Sequence, residues 1–177
     1  MDRKYELTDE IITINNHVLH RIVAIRNFSN VNYGDLGGFI ESEANLSHSG
    51  RCWVYDNANV YEDARVYDHS MVYENAQVYG RAWICQDAYV YGNAHIYDDA
   101  YLFEYSSMYG DARVCGDVFI YEKAKVCGCA HAYGRARIFG KVELDSGIWN
   151  NTIKINNNMY LISTTLQKIL MVEHVYE

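Results

Sequence analysis

A six-residue phase runs unbroken from Cys52 to Leu144, and it constrains the fold more than any other property of the chain. Written as small, any, aliphatic, aromatic, any, any, successive units read Ala58-Asn59-Val60-Tyr61-Glu62-Asp63 and Ala64-Arg65-Val66-Tyr67-Asp68-His69. The aliphatic column holds Val, Ile, Leu or Met at 15 of 16 positions, Ala132 being the exception. The small column, two residues earlier, holds Ala at 11 of 16. Cys52, Ser70 and Ser106 also fit there, whereas Val118 and Val142 are larger.

This period is neither the roughly 3.6 of a helix nor the roughly 2 of a strand, so it needs its own physical account. Within a unit, the four residues Ala-x-Val-Tyr alternate like a short strand, Ala and Val inward, x and Tyr outward. The remaining pair is drawn mostly from Gly, Asp, Asn and Glu, as in Gly92-Asn93 and Asp98-Asp99. Those types accept left-handed or tight-turn backbone, so the chain turns a corner in every unit. A helix would scatter the Val column around its axis, and a meander of hairpins would need reversing turns that the identical corners do not supply. A parallel coil with one flat face per unit remains.

The pattern resembles the hexapeptide repeat of the left-handed β-helix proteins, the trimeric LpxA-like superfamily, in which a small residue follows an aliphatic one four positions later, as Ala64 follows Val60. The resemblance is closest to YdcK-like and prophage-borne members. It rests on Tyr5-Glu6-Leu7-Thr8-Asp9, on Gly34 to Ser42, on Asn45-Leu46-Ser47 and on the repeated Val-Tyr-x-Asn/Asp-Ala. It implies an all-β fold: a single-stranded left-handed parallel β-helix, three units per coil. The repeat then supplies about five coils, a prism on the order of 25 Å tall.

The flanks divide the chain into residues 1–43, 44–145 and 146–177. In the first, Ile11–Ile14, Val18–Ile25 and Gly37–Ile40 read as strands with a hairpin turn at Asn15-Asn16, a β cap over the first coil. In the last, Asn151–Ile155 and Met159–Ile162 read as a hairpin, and Thr165–Val175 as a short helix.

Composition narrows the classes. The N-terminus lacks the apolar core of a signal peptide, no apolar run approaches the roughly 20 residues of a membrane span, and the five Cys form an odd set. A cytoplasmic protein of a bacterial cell, with no membrane partner, is the expectation. A net charge of −8 argues against direct binding to nucleic acid.

Candidate chemistry is thin. Resemblance to hexapeptide acyltransferases implies a catalytic His acting as general base, often beside a loop that interrupts the repeat. No loop interrupts this one, and His69, His95 and His131 take corner or outward positions, while His48 lies in the out-of-phase step before Val54. Cys127-Gly128-Cys129 with His131 lacks the second pair of a tetrahedral Zn site. Gly34–Phe39 lacks the Gly-Lys-Ser/Thr ending of a phosphate loop and reads as backbone turn. No catalytic residue, metal or cofactor is assigned, and the residues weigh against catalysis.

The outward columns say more. Ten of 15 aromatic-column positions are Tyr, and sorting by coil adds large side chains beside them. Trp53, Met71 and Tyr89 flank one face, while Trp83, Tyr101, Phe103, Phe119 and Tyr121 make up much of another. These exceed what a monomer usually exposes and are expected to form an interface. A homo-oligomer is expected; the hexapeptide resemblance implies a trimer first, with a dimer second. The corners Asp56, Glu62, Asp63, Asp68, Glu74, Asp98 and Asp99 form an acidic ridge. The favoured reading is a non-catalytic β-solenoid interaction or scaffold protein, a phage or prophage accessory factor. The alternatives are an anti-defence inhibitor of a host nuclease complex (an anti-CRISPR factor or a nucleic-acid mimic) and a hexapeptide-type acyltransferase.

Overall fold

Pleated backbone sends alternate side chains to opposite sides, and each unit obeys this rule. Arg65 is exposed while Val66 is buried, and Trp83 is half-buried while Ile84 is buried. The computed structural model describes residues 3–150 and 153–155. Each unit gives a short rung that pairs in parallel with the rungs one coil away: Tyr89-Val90 lies between Met71-Val72 and Ser107-Met108. The rungs stack into three sheets, two of six strands and one of nine that an N-terminal antiparallel hairpin extends, giving a parallel β-solenoid of about six turns that is consistent with the left-handed β-helix the resemblance implies. The first face carries Asn59, Gln77, His95, Arg113 and His131 outward, the second Trp53, Met71, Tyr89, Ser107, Lys125 and Glu143, and the third Arg65, Trp83, Tyr101, Phe119 and Arg137. The Ala and Val columns fill the prism, with Ala58, Val60, Ala94, Ile96 and Val114 all fully buried. Small residues near each corner let the three walls close; aliphatic ones at mid-face fill the centre.

The first residue of every corner pair has left-handed backbone. Among the non-glycines φ runs from 52° at Asp56 to 61° at Glu74, and Gly80, Gly92 and Gly110 take the same region. Such a conformation costs an L-residue about 1–2 kcal/mol, so residues that can recover the cost are selected.

Three strands precede the repeat. β1 (Tyr5–Ile14) and β2 (His17–Ala24) form an antiparallel hairpin, reversed at Asn15 and Asn16 with φ of 49° and 70° as a two-residue turn requires. β3 (Leu36–Ile40) pairs antiparallel with β2 on one side and parallel with Asn59-Val60 on the other, so it is the lowest rung of the first face. Ile40 and Leu46, both fully buried, carry the aliphatic column back one turn before the regular hexads begin. Val54 follows Leu46 by eight residues rather than six, which hides this turn from a search for period. The Gly37-Gly38 pair serves the close approach of β3: a Cβ on Gly38 would lie 2.4 Å from the carbonyl oxygen of Ala58.

The open lower end is plugged by the N-terminus. Tyr5 is fully buried, and its hydroxyl donates to the Leu46 carbonyl at 2.6 Å. Lys4 is also fully buried: its Nζ donates to the Cys52 carbonyl at 2.7 Å, lies 3.3 Å from Cys52 Sγ and sits 5.1 Å from the Phe28 ring. Burial holds the Lys4 pKa below its ordinary value, against the opposing pull of Cys52. At the upper end Ile148-Trp149 and Ile153–Ile155 continue as parallel rungs on His131-Ala132 and Ile138–Gly140. The second strand of the expected C-terminal hairpin, and the helix, lie outside the described residues.

Candidate interaction face

Two aromatic files run up the third face. In one, Trp83 and Tyr101 are 5.4 Å apart between ring centroids, and Tyr101 stacks on Phe119 at 4.8 Å with planes within 5°. In the other, Phe103 stacks on Tyr121 at 5.1 Å and Tyr121 on Phe139 at 4.8 Å. Rings repeat at this distance because the parallel rungs that carry them repeat at about 4.8 Å. Guanidinium groups close the first file at both ends, Arg65 at 5.8 Å from the Trp83 ring and Arg137 at 4.1 Å from Phe119. The rings cover each other's flat sides and leave edges to solvent, so Trp83, Tyr101, Phe103, Phe119 and Tyr121 are all half-buried.

The second face behaves differently. Tyr73, Tyr91 and Tyr109 stack at 5.1 and 4.8 Å beside half-buried Met71 and Tyr89. Burial, then the neighbouring Tyr91, pushes the Tyr73 phenol up to about 12, so this file stays neutral. Trp53, expected among the exposed interface residues, is corrected by the structure: only 1% of it is exposed. Phe28 packs edge-on against it at 5.3 Å and Tyr5 at 6.0 Å, because the segment after β2 folds over the lower end of this face. Seven of the eight expected interface residues therefore reach the surface, and the third face brings five of them together.

The acidic ridge has a structural duty that the sequence reading missed. Asp56 Oδ2 accepts the backbone N–H of Glu74 at 3.0 Å, Glu62 that of Gly80 at 2.7 Å, and Asp68 that of Gln86 at 3.1 Å. Glu74 takes Gly92 N–H at 2.8 Å, and Asp98 takes Gly116 N–H at 3.1 Å. In each case the donor is the left-handed corner residue one coil higher. The signal lay in the column itself, which from position 56 to 140 contains only Asp, Glu, Gln and Gly. Asp63 and Asp99 stand in the second corner column, where Asp99 pairs with Arg81 at 2.6 Å.

The four candidate histidines, His48, His69, His95 and His131, stand in separate surroundings. His48 stacks on Tyr5 at 4.2 Å with Nδ1 accepting the Lys4 N–H at 3.3 Å, and burial followed by Arg3 and Lys4 lowers its pKa. His95 is half-buried on the first face, its pKa lowered by burial and by Arg113. His131 Nε2 lies 3.8 Å from Cys115 Sγ, and His69 lines a hollow at the corner beyond the third face. Among the described residues no helix is long and apolar enough to cross a membrane.

Comparison with known proteins agrees with the hexapeptide resemblance. Over 62 residues the chain is 39% identical to a protein of Escherichia coli (strain K12) described as an uncharacterized acetyltransferase, YdcK. The match takes in 30% of this chain, which spans only 19% of that relative's length. No protein-family model matches.

Proposed function

We propose that this protein is a non-catalytic β-solenoid whose third face mediates protein association, and that it serves as an accessory factor in a bacterium or its phage. The observation that carries the reading is the pair of stacked aromatic files, which place six large rings side by side on a flat, rigid wall. Aromatic residues and Arg are the types enriched at interface centres, and stacking has already fixed their rotamers, so little side-chain entropy remains to be lost on binding. The acidic ridge supports inhibition of a nuclease complex less well, since its left-handed members each commit an oxygen to backbone one coil away.

Acyl transfer is the second reading, favoured by the likeness to a protein described as an acetyltransferase. Two measurements separate them. Light scattering on the parent and on Trp83→Glu should show association in the first and its loss in the second. Titration calorimetry with acetyl-CoA should show no binding. A saturable heat with acetyl-CoA, together with a monomeric parent, would reverse the order of the two readings.

A further inference from the structure

We propose that the third face pairs with a second copy of this chain in the antiparallel sense, about a two-fold axis crossing the face at the level of Tyr101 and Phe103. This rests on the association reading above and gives it a partner and a geometry. The charges bordering the face carry the argument. One border is the corner column Asp63, Arg81, Asp99, Asp117 and Arg135; the other is His69, Asp87, Tyr105, Lys123 and Lys141. Rungs are about 4.8 Å apart, so height along the axis follows residue number and each border extends about 19 Å.

A two-fold axis lying in the interface and perpendicular to the coils sets each column against itself, reversed. Asp63 then faces the partner's Arg135, Arg81 faces the partner's Asp117, and Asp87 faces the partner's Lys123. All three pairs have opposite signs. A hollow of about 360 Å³ lined by Asp68, Asp87, Glu104 and Tyr105 lies on this border, where the partner's Lys123 arrives. Tyr105 is 65% exposed at a type of corner that polar side chains usually fill, and it falls on the axis, against its own counterpart. Asp99 also meets its counterpart there, but its charge is already matched by Arg81. Between the borders Trp83 lies against the partner's Phe119. The like-charged pair that remains, Arg65 with the partner's Arg137, sits at the rim, where each guanidinium lies over a ring of its own chain.

Other placements match less well. Moving the axis half a coil sets Arg81 against the partner's Arg135, or Asp63 against the partner's Asp117. Running the copies parallel sets Arg135 against the partner's Lys141. Along the borders, the antiparallel centre gives three oppositely charged pairs and brings like charges together only on the axis, where Asp99 meets its counterpart beside Arg81 and Glu104 meets its own; the same patch serves both copies, so assembly closes at two. This departs from the trimer that the hexapeptide resemblance implies.

Charge reversal tests it, with sedimentation velocity reading the dimer dissociation constant and circular dichroism confirming the fold of each variant. Asp87→Lys and Lys123→Asp should each weaken the dimer roughly tenfold, and the double variant should return to within about threefold of the parent. Asp63→Arg with Arg135→Asp should behave the same way. An oligomer whose double variants are no better than the singles would overturn the antiparallel geometry and leave the association reading standing. A parent that stays monomeric at tens of micromolar would overturn both.

Discussion

Trp53 and Trp83 occupy the same column of the same repeat, yet one is 1% exposed and the other presents a ring edge to solvent. Trp53 stands at the lower end of its face, where Phe28 and Tyr5 fold over it; Trp83 stands on a wall that no N-terminal segment is seen to cover. A position in the repeat therefore decides which way a side chain points, not what lies on top of it. The covered end is finished within the chain, by buried Lys4 and Tyr5 and the β1–β2 hairpin. Among the described residues, the third face is finished by stacking along itself and by Arg65 and Arg137 over its end rings.

The largest effect should come from the core beneath both regions. Val90 is fully buried between Val72 and Met108, and Val90→Asp places a carboxylate there without a partner, at several kcal/mol. No folded protein is expected by circular dichroism; a cooperative native melt would show that the inward column has been misassigned. Next comes the tryptophan pair. Trp53→Ala should cost about 3–5 kcal/mol, as large-to-small changes in packed sites do. Trp83→Ala should cost only about 1 kcal/mol, mostly from lost stacking. Urea denaturation of both variants measures the gap, and equal losses would erase the distinction between the two ends.

A smaller effect separates hydrogen bonding from charge at the corners. Glu74→Ala removes the acceptor for the Gly92 N–H and should destabilise by about 1 kcal/mol, whereas Glu74→Gln keeps an oxygen there and should cost less. A Gln variant as unstable as the Ala variant would mean that charge, not the acceptor, is what the corner needs.

The smallest expected effect lies in the hairpin that covers the lower first face. His17 Nδ1 and Glu41 Oε1 are 2.9 Å apart. The hydrogen bond to Glu41 raises the His17 pKa above its ordinary value of 6.5. For Glu41 burial pushes the other way, but the His17 bond and the Glu62 N–H hold it below the ordinary 4.5. A raised His contributes fully below its unfolded value and fades as pH rises through its folded one; a lowered Glu contributes fully above its unfolded value and fades as pH falls. Both contributions are complete between about 4.5 and 6.5. Amide exchange in β1 and β2 should accordingly be better protected, after correction for intrinsic rates, at pH 5.5 than at pH 8, and His17→Ala should flatten the difference. Unchanged protection in the parent would remove this pair from the account of the hairpin.

The solenoid was legible because Val60, Val66 and their successors repeat in strict phase with Ala, and because the corners carry residues tolerant of left-handed backbone. The hairpin turn at Asn15-Asn16 was legible for the same local reason. The additional turn through Ile40 and Leu46 was not, since the two-residue insertion between Leu46 and Val54 destroys the phase while leaving the pairing intact. The carboxylate ladder was half-legible: the column of Asp, Glu, Gln and Gly is plain to read, but its hydrogen bonds join residues a full coil apart.

By itself the sequence determined the direction of each side chain in the repeat and the places where the chain turns, because both follow from local backbone sterics and a fixed period. Only the tertiary structure decided which outward residues are covered. Trp53 meets Phe28 and Tyr5, and Asp56 meets the N–H of Glu74, through the stacking of coils and the folding of the N-terminus over the open end. Those contacts depend on where distant segments come to rest, a quantity that no local pattern of residues encodes.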